Sequence, residues 1–103
     1  MIHYFKGFWG SDSKCQYEVE MLAENKVKVT LTELVDNRGT SITNMYEQIA
    51  TEIYQKHLSS IPVENIAWVE HYIGEGIFGE TFDEVSLKWN GSHFHSIEWK
   101  RLT

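Results

Sequence analysis

One stretch of this chain repeats its apolar residues at helical spacing, and no second stretch does. Ile42, Met45, Ile49, Ile53 and then His57 or Leu58 recur every three to four positions, with Tyr46 and Ala50 widening the stripe. Asn44 followed three residues on by Glu47 fits a capping box, and Thr40 or Ser41 are earlier candidate caps. Pro62 disfavours helical geometry at Ile61, so the helix is expected to stop near Ser59-Ser60. A chain with one helix must find the rest of its core in strands.

The remaining patterned segments alternate with period two, the mark of a half-buried strand. In residues 15–23, Cys15, Tyr17, Val19 and Met21 take one face and Gln16, Glu18 and Glu20 the other. In residues 26–35, Val27, Val29 and Leu31 oppose Lys28, Thr30 and Thr32, and the break at Glu24-Asn25 suits a tight hairpin turn. Glutamates on one exposed face then meet lysines on the other. Residues 66–73, 82–89 and 93–102 read as further strands, and the aromatic start, residues 2–9, as another. Asn90-Gly91 is a hairpin signal. It leaves the register open: a two-residue turn pairs Leu87 with Phe94, a three-residue turn pairs Val85 with Ile97, and a bulge could serve both. With 103 residues there is room for one domain. The expected fold is α+β over residues 1–103: a mainly antiparallel sheet of five to six strands with one amphipathic helix on one face, in the order β-β-β-α-β-β-β.

Size turns this fold into a functional expectation. Six strands span roughly 24 Å, and a helix is about 10 Å across. Either the sheet curls around the helix or part of an apolar face waits for a second chain. If Val69 and Ile73 face the helix, Trp68 and Tyr72 face away from it. Together with Trp9 and Trp99, they would leave aromatic surface for a partner. Nine Lys and Arg against fifteen Asp and Glu give a formal charge of −6, which argues against nucleic acid and anionic membranes as partners. The expectation is therefore a non-catalytic interaction module, binding another protein or its own copy as a homodimer. Acidic charge would steer the encounter and the anchors Trp9, Trp68, Tyr72 and Trp99 would supply affinity. No run of about 20 apolar residues suits a membrane span, and no signal-peptide pattern is visible. A cytoplasmic location is expected, where the lone Cys15 stays reduced.

Residues with chemical potential supply the alternative, a small enzyme or ligand-binding protein with a pocket between helix and sheet. Its polar groups would be Glu70, His71, His93 and His95, under a glycine-rich lid. Gly74-Glu75-Gly76-Ile77-Phe78-Gly79 matches G-x-G-x-x-G and looks like the kinase glycine loop over about eight residues. No other kinase part is present, and no helix follows as a dinucleotide fold needs. It reads as a hairpin loop. His93-x-His95 can chelate, with His71 or His3 and Glu70 or Glu98 as possible additions, yet no third ligand has diagnostic spacing, so neither a metal nor another cofactor is expected. Glu70 and His71 are adjacent on a strand and point to opposite faces; one of them must face the helix layer. A buried His71 donating to a backbone carbonyl is the simplest arrangement. Cys15 sits on the apolar side of its strand and reads as a small core residue.

The strings Gly39-Thr40-Ser41-Ile42-Thr43-Asn44, Glu47-Gln48-Ile49-Ala50, Trp68-Val69-Glu70-His71-Tyr72, Glu80-Thr81-Phe82-Asp83 and Trp99-Lys100-Arg101-Leu102 resemble small uncharacterised bacterial proteins over about a third of the chain. The resemblance implies a bacterial cytoplasmic protein and no particular activity.

Overall fold

The computed structural model describes residues 4–9, 15–33, 45–73 and 80–102. Its elements are β1 (Tyr4–Trp9), β2 (Cys15–Ala23), β3 (Lys26–Glu33), α1 (Tyr46–Ile53), β4 (Ile66–Ile73), β5 (Glu80–Trp89) and β6 (Phe94–Arg101). The architecture is α+β, a sheet with one helix. The helical pattern divides: α1 ends at Ile53 and a wider π-helical turn, Tyr54–Leu58, continues it. The chain then turns at Ser59-Ser60, where Pro62 was expected to stop it. Thr40, Ser41, Ile42 and Asn44 lie outside the described residues, as do His3 and the glycine-rich segment 74–79.

The six strands stand in chain order across the sheet. Four neighbouring pairs are antiparallel, but β3 and β4 run parallel, so the sheet is mixed. Parallel neighbours need a long crossover, and the chain between Glu33 and Ile66, which carries α1, provides it. The register aligns Val19, Val29, Trp68, Val85 and Trp99 in one row across five strands. This row fixes the faces of β4. Ile66, Trp68 and Glu70 lie on the helix side, Tyr72 shares their face by alternation, and Val69, His71 and Ile73 lie on the other. The expectation that Trp68 and Tyr72 point away from the helix is corrected. Trp68 is 3% exposed, with the rings of Tyr46 and Phe94 edge-on to it. The physical reason is volume: an indole fills the gap between helix and sheet better than Val69 would.

The width problem is resolved by curling. Both edge strands reach the single helix. On β6, the backbone N–H groups of Phe94 and Ser96 donate to Thr51 Oγ1 (3.0 Å) and Glu47 Oε2 (2.6 Å). On β1, the indole N–H of Trp9 donates to Glu52. Strand twist bends a sheet in this way, and the helix caps donors that an edge strand would otherwise present for pairing. The layer inside is aromatic: Tyr46 meets Trp68 and Trp99, and Tyr54 and Trp89 meet Phe94. Tyr46 donates from its buried hydroxyl to the Val69 carbonyl (2.9 Å). Exposed large apolar side chains are Leu22, Tyr72, Ile73, Ile97 and Leu102.

One glycine is required by this wrapping. Gly7 pairs with Tyr17, whose ring lies across it, and a Cβ on Gly7 would overlap the Cζ and Oη atoms of that ring. The empty place lets Tyr17 Oη reach His57 Nε2 at 3.2 Å. Gly7→Ala is expected to destabilise the fold by about 1–3 kcal/mol in a urea melt. In a Tyr17→Leu background the penalty should shrink, because the ring it collides with is gone.

Candidate functional site

Where the two sheet edges meet the helix, its outer side stays open. Here α1 and the β5–β6 turn line a pocket of about 370 Å³ with Glu47, Gln48, Thr51, Glu52 and His93. The helix places Glu47 and Thr51 one turn apart, so both reach β6, while Glu52 turns toward Trp9. Glu47 accepts the Ser96 N–H, because a strand edge beside the helix offers an unsatisfied donor; Asn44, its partner in the candidate capping box, lies outside the described residues. The Met45 N-cap carries no side-chain capping bond. Among the described residues, the pocket lining contains two carboxylates and no Lys or Arg.

The rim is a four-residue turn, Asn90-Gly91-Ser92-His93, closed by Asn90 N–H donating to the His93 carbonyl (3.1 Å) with Gly91 at φ +102°. Asn90 Oδ1 accepts the backbone N–H groups of Ser92 and His93, both at 2.9 Å. Its Nδ2 faces His95 Nε2 at 2.8 Å and His93 Nε2 at 3.3 Å. His93 Nδ1 pairs with Ser92 Oγ (2.9 Å), and His95 Nδ1 has the Glu47 carboxylate at 3.9 Å.

Glu70 and His71 are separated by the sheet, as strand alternation demands. Glu70, not His71, faces the helix layer, which corrects the expected buried histidine: Glu70 is 4% exposed and His71 only partly covered. Glu70 stands beside Leu31 and Asp83, and Asp83 is ion-paired to Arg101 at 2.5 Å. On the opposite face, His71 stacks on Phe82 (4.2 Å between centroids, 8° between planes). Its Nδ1 meets Thr32 Oγ1 at 3.2 Å and its Nε2 meets Glu80 at 2.5 Å. Both ring nitrogens are engaged. Cys15 is fully buried, and burial, then the Glu33 and Glu70 charges, push its thiol up to about 12. Tyr46 is raised well above its ordinary value for the same leading reason, burial, followed by the charge of Glu70.

The structure therefore brings Trp9, His93 and His95 to the helix residues of one open seam, leaves Trp68 and half-buried Trp99 in the core, and sets Tyr72 on the sheet end as the exposed aromatic among the four expected anchors. Glu70, His71, His93 and His95 do not share a helix–sheet pocket: rings fill that layer, and His71 lies behind the sheet. Sequence reading missed Glu52 and Asn90. The visible signal for Glu52 was its place off the apolar stripe; nothing in the string showed Trp9 arriving beside it. Among the described residues no helix is long and apolar enough to cross a membrane, and no three His, Cys, Asp or Glu side chains form a metal cluster. No family model, curated protein or solved structure matches the chain.

Proposed function

We propose that the chain is a non-catalytic interaction module that receives a positively charged segment of another protein in the seam between its sheet edges. The observation that carries this is the pocket over α1: Glu47 and Glu52 with no basic residue among the described lining residues, on a chain of net charge −6. Such a lining attracts Lys or Arg side chains and repels acidic ones. A second copy of this chain, itself acidic, is the poorer occupant. Trp9 supports the reading, since an indole held by its N–H edge beside a carboxylate offers a guanidinium both a charge partner and an aromatic face.

A short arginine peptide is the probe. Amide resonances of residues 47–52 and 93–96 should move on titration, and less so as salt is raised. Glu47→Gln/Glu52→Gln keeps an oxygen for the Ser96 and Trp9 donors but removes the charge. It should weaken binding roughly tenfold or more. Equal binding by this variant, or shifts scattered over the surface, would rule the seam out.

A further inference from the structure

We propose that the β5–β6 turn is a binding site for a divalent transition metal, zinc foremost, held by the Nε2 atoms of His93 and His95. This stands apart from the seam reading, since it requires neither Glu52 nor a protein partner. Asn90 provides the argument. Its Oδ1 accepts two backbone N–H groups of the turn, from Ser92 and His93, together with the Ser92 hydroxyl at 3.1 Å. The orientation of the amide is thereby set, and Nδ2 must point to the other side. An amide NH₂ can only donate. The two Nε2 atoms it faces, at 2.8 and 3.3 Å, are therefore both acceptors. Two lone pairs converge on one small region, which is the state and direction in which imidazole binds zinc.

The rest of the turn supports the same role. The ring centroids are 4.5 Å apart and the planes cross at 63°, so the rings approach a common centre without stacking. Each outer nitrogen already has an acceptor near it: Ser92 Oγ behind His93 at 2.9 Å, and the Glu47 carboxylate behind His95 at 3.9 Å. Acceptors of this kind hold ligating imidazoles in the right tautomer and raise their basicity. Both histidines are exposed, so a hydrated ion reaches them without opening the core. Because no third His, Cys, Asp or Glu joins them among the described residues, water or an incoming ligand fills the remaining positions. An all-imidazole protein donor set selects zinc, copper or nickel over calcium and magnesium. The ion competes with the Asn90 Nδ2–H donors for the same two lone pairs.

Zinc titration by calorimetry, with imidazole ¹⁵N spectra, tests this on the full chain. One zinc per chain should bind, moving the Nε2 resonances of His93 and His95, while calcium should give no heat. His93→Ala and His95→Ala should each cost roughly tenfold or more in affinity. Asn90→Asp is the sharper variant. It keeps the oxygen that orders the turn and converts the competing donor into a third ligand, so zinc should bind roughly tenfold tighter. Equal affinity of the wild type and the His93→Ala/His95→Ala double variant overturns the proposal. So does movement confined to His57 or His71, or a folded Asn90→Asp variant that binds no better than wild type.

Discussion

Phe94→Ala is expected to cost about 3–5 kcal/mol, the range for deleting a buried aromatic ring. Phe94 is 1% exposed and stands at the junction of the aromatic layer, edge-on to Trp68 (5.3 Å), Tyr54 (5.4 Å) and Trp89 (4.9 Å). Its removal takes the common neighbour from three rings belonging to β4, the turn after α1 and β5. Those rings are held by different elements and cannot all collapse into the space. Against a total stability of about 5–15 kcal/mol for a domain of this size, the loss leaves little folded protein on warming. Urea melts check it: the midpoint should fall with the slope unchanged. The backbone bond from Phe94 N–H to Thr51 survives the substitution, so the effect belongs to the ring. Ile97→Ala is the companion measurement. Ile97 is 65% exposed and should cost no more than about 0.5 kcal/mol. A large penalty at Ile97 and a small one at Phe94 would mean that β6 lies in another register.

That contrast marks where the string of residues ceased to be readable. The turn at Asn90-Gly91 was visible, but neither simple hairpin register is adopted. Trp89 pairs with Phe94 and Leu87 with Ser96, then the ladder slips at Ser86/Leu87 so that Val85 meets Trp99. The bulge puts Ile97 outside and both Phe94 and Trp99 inside. A bulge was open from the sequence, but local alternation cannot place it, because the reward for the slip is contact with Tyr46 and Tyr54, which are distant in sequence. The β2–β3 hairpin was legible for the opposite reason. Its two apolar stripes are strict and pair without a slip from Cys15–Glu33 to Met21–Val27, the one shift falling beside the turn at Met21/Ala23.

Strand β4 shows a second limit. Its two faces carry Ile66, Trp68, Glu70 and Tyr72 against Ala67, Val69, His71 and Ile73, with a strongly polar side chain, Glu70 or His71, in the middle of each, so alternation alone does not choose. The choice is made by the parallel register with Val27, Val29 and Leu31, a consequence of α1 crossing between adjacent strands. Of the seam, the sequence showed the aromatic and the histidines but not their meeting. Trp9 and His93 lie at opposite ends of the chain, and only curling of the sheet brings each to α1. The size comparison was sound in form: six strands are too wide for one helix if the sheet stays flat. Curvature supplied the remainder that a partner was expected to supply.

Raising the pH should unfold this protein well before ordinary surface groups would. Cys15 holds its proton up to about 12 in the fold against an ordinary value of 9.0, because burial and then the nearby Glu33 charge penalise the thiolate. Tyr46 is raised well above 10.0, with burial first and the Glu70 charge next. Both are acids whose folded values lie above their unfolded ones. Below pH 9 each is protonated in both states and its contribution is fully present. Above pH 9 the unfolded chain sheds the Cys15 proton while the native chain keeps it, so stability falls by about 1.4 kcal/mol per pH unit. Above pH 10 Tyr46 steepens the fall in the same direction. By pH 11 Cys15 alone removes about 3 kcal/mol, a large share of a marginal total. Melting temperatures from pH 8 to pH 11 should drop steeply in the wild type. Cys15→Ala and Tyr46→Phe should each flatten the fall, whatever either does to stability at pH 8. At pH 8 the thiol should ignore disulfide reagents until the chain unfolds, since both its ionisation and its access are suppressed. Equal slopes in the wild type and both variants would show that neither proton is retained, and that the space between α1 and β2–β4 admits water.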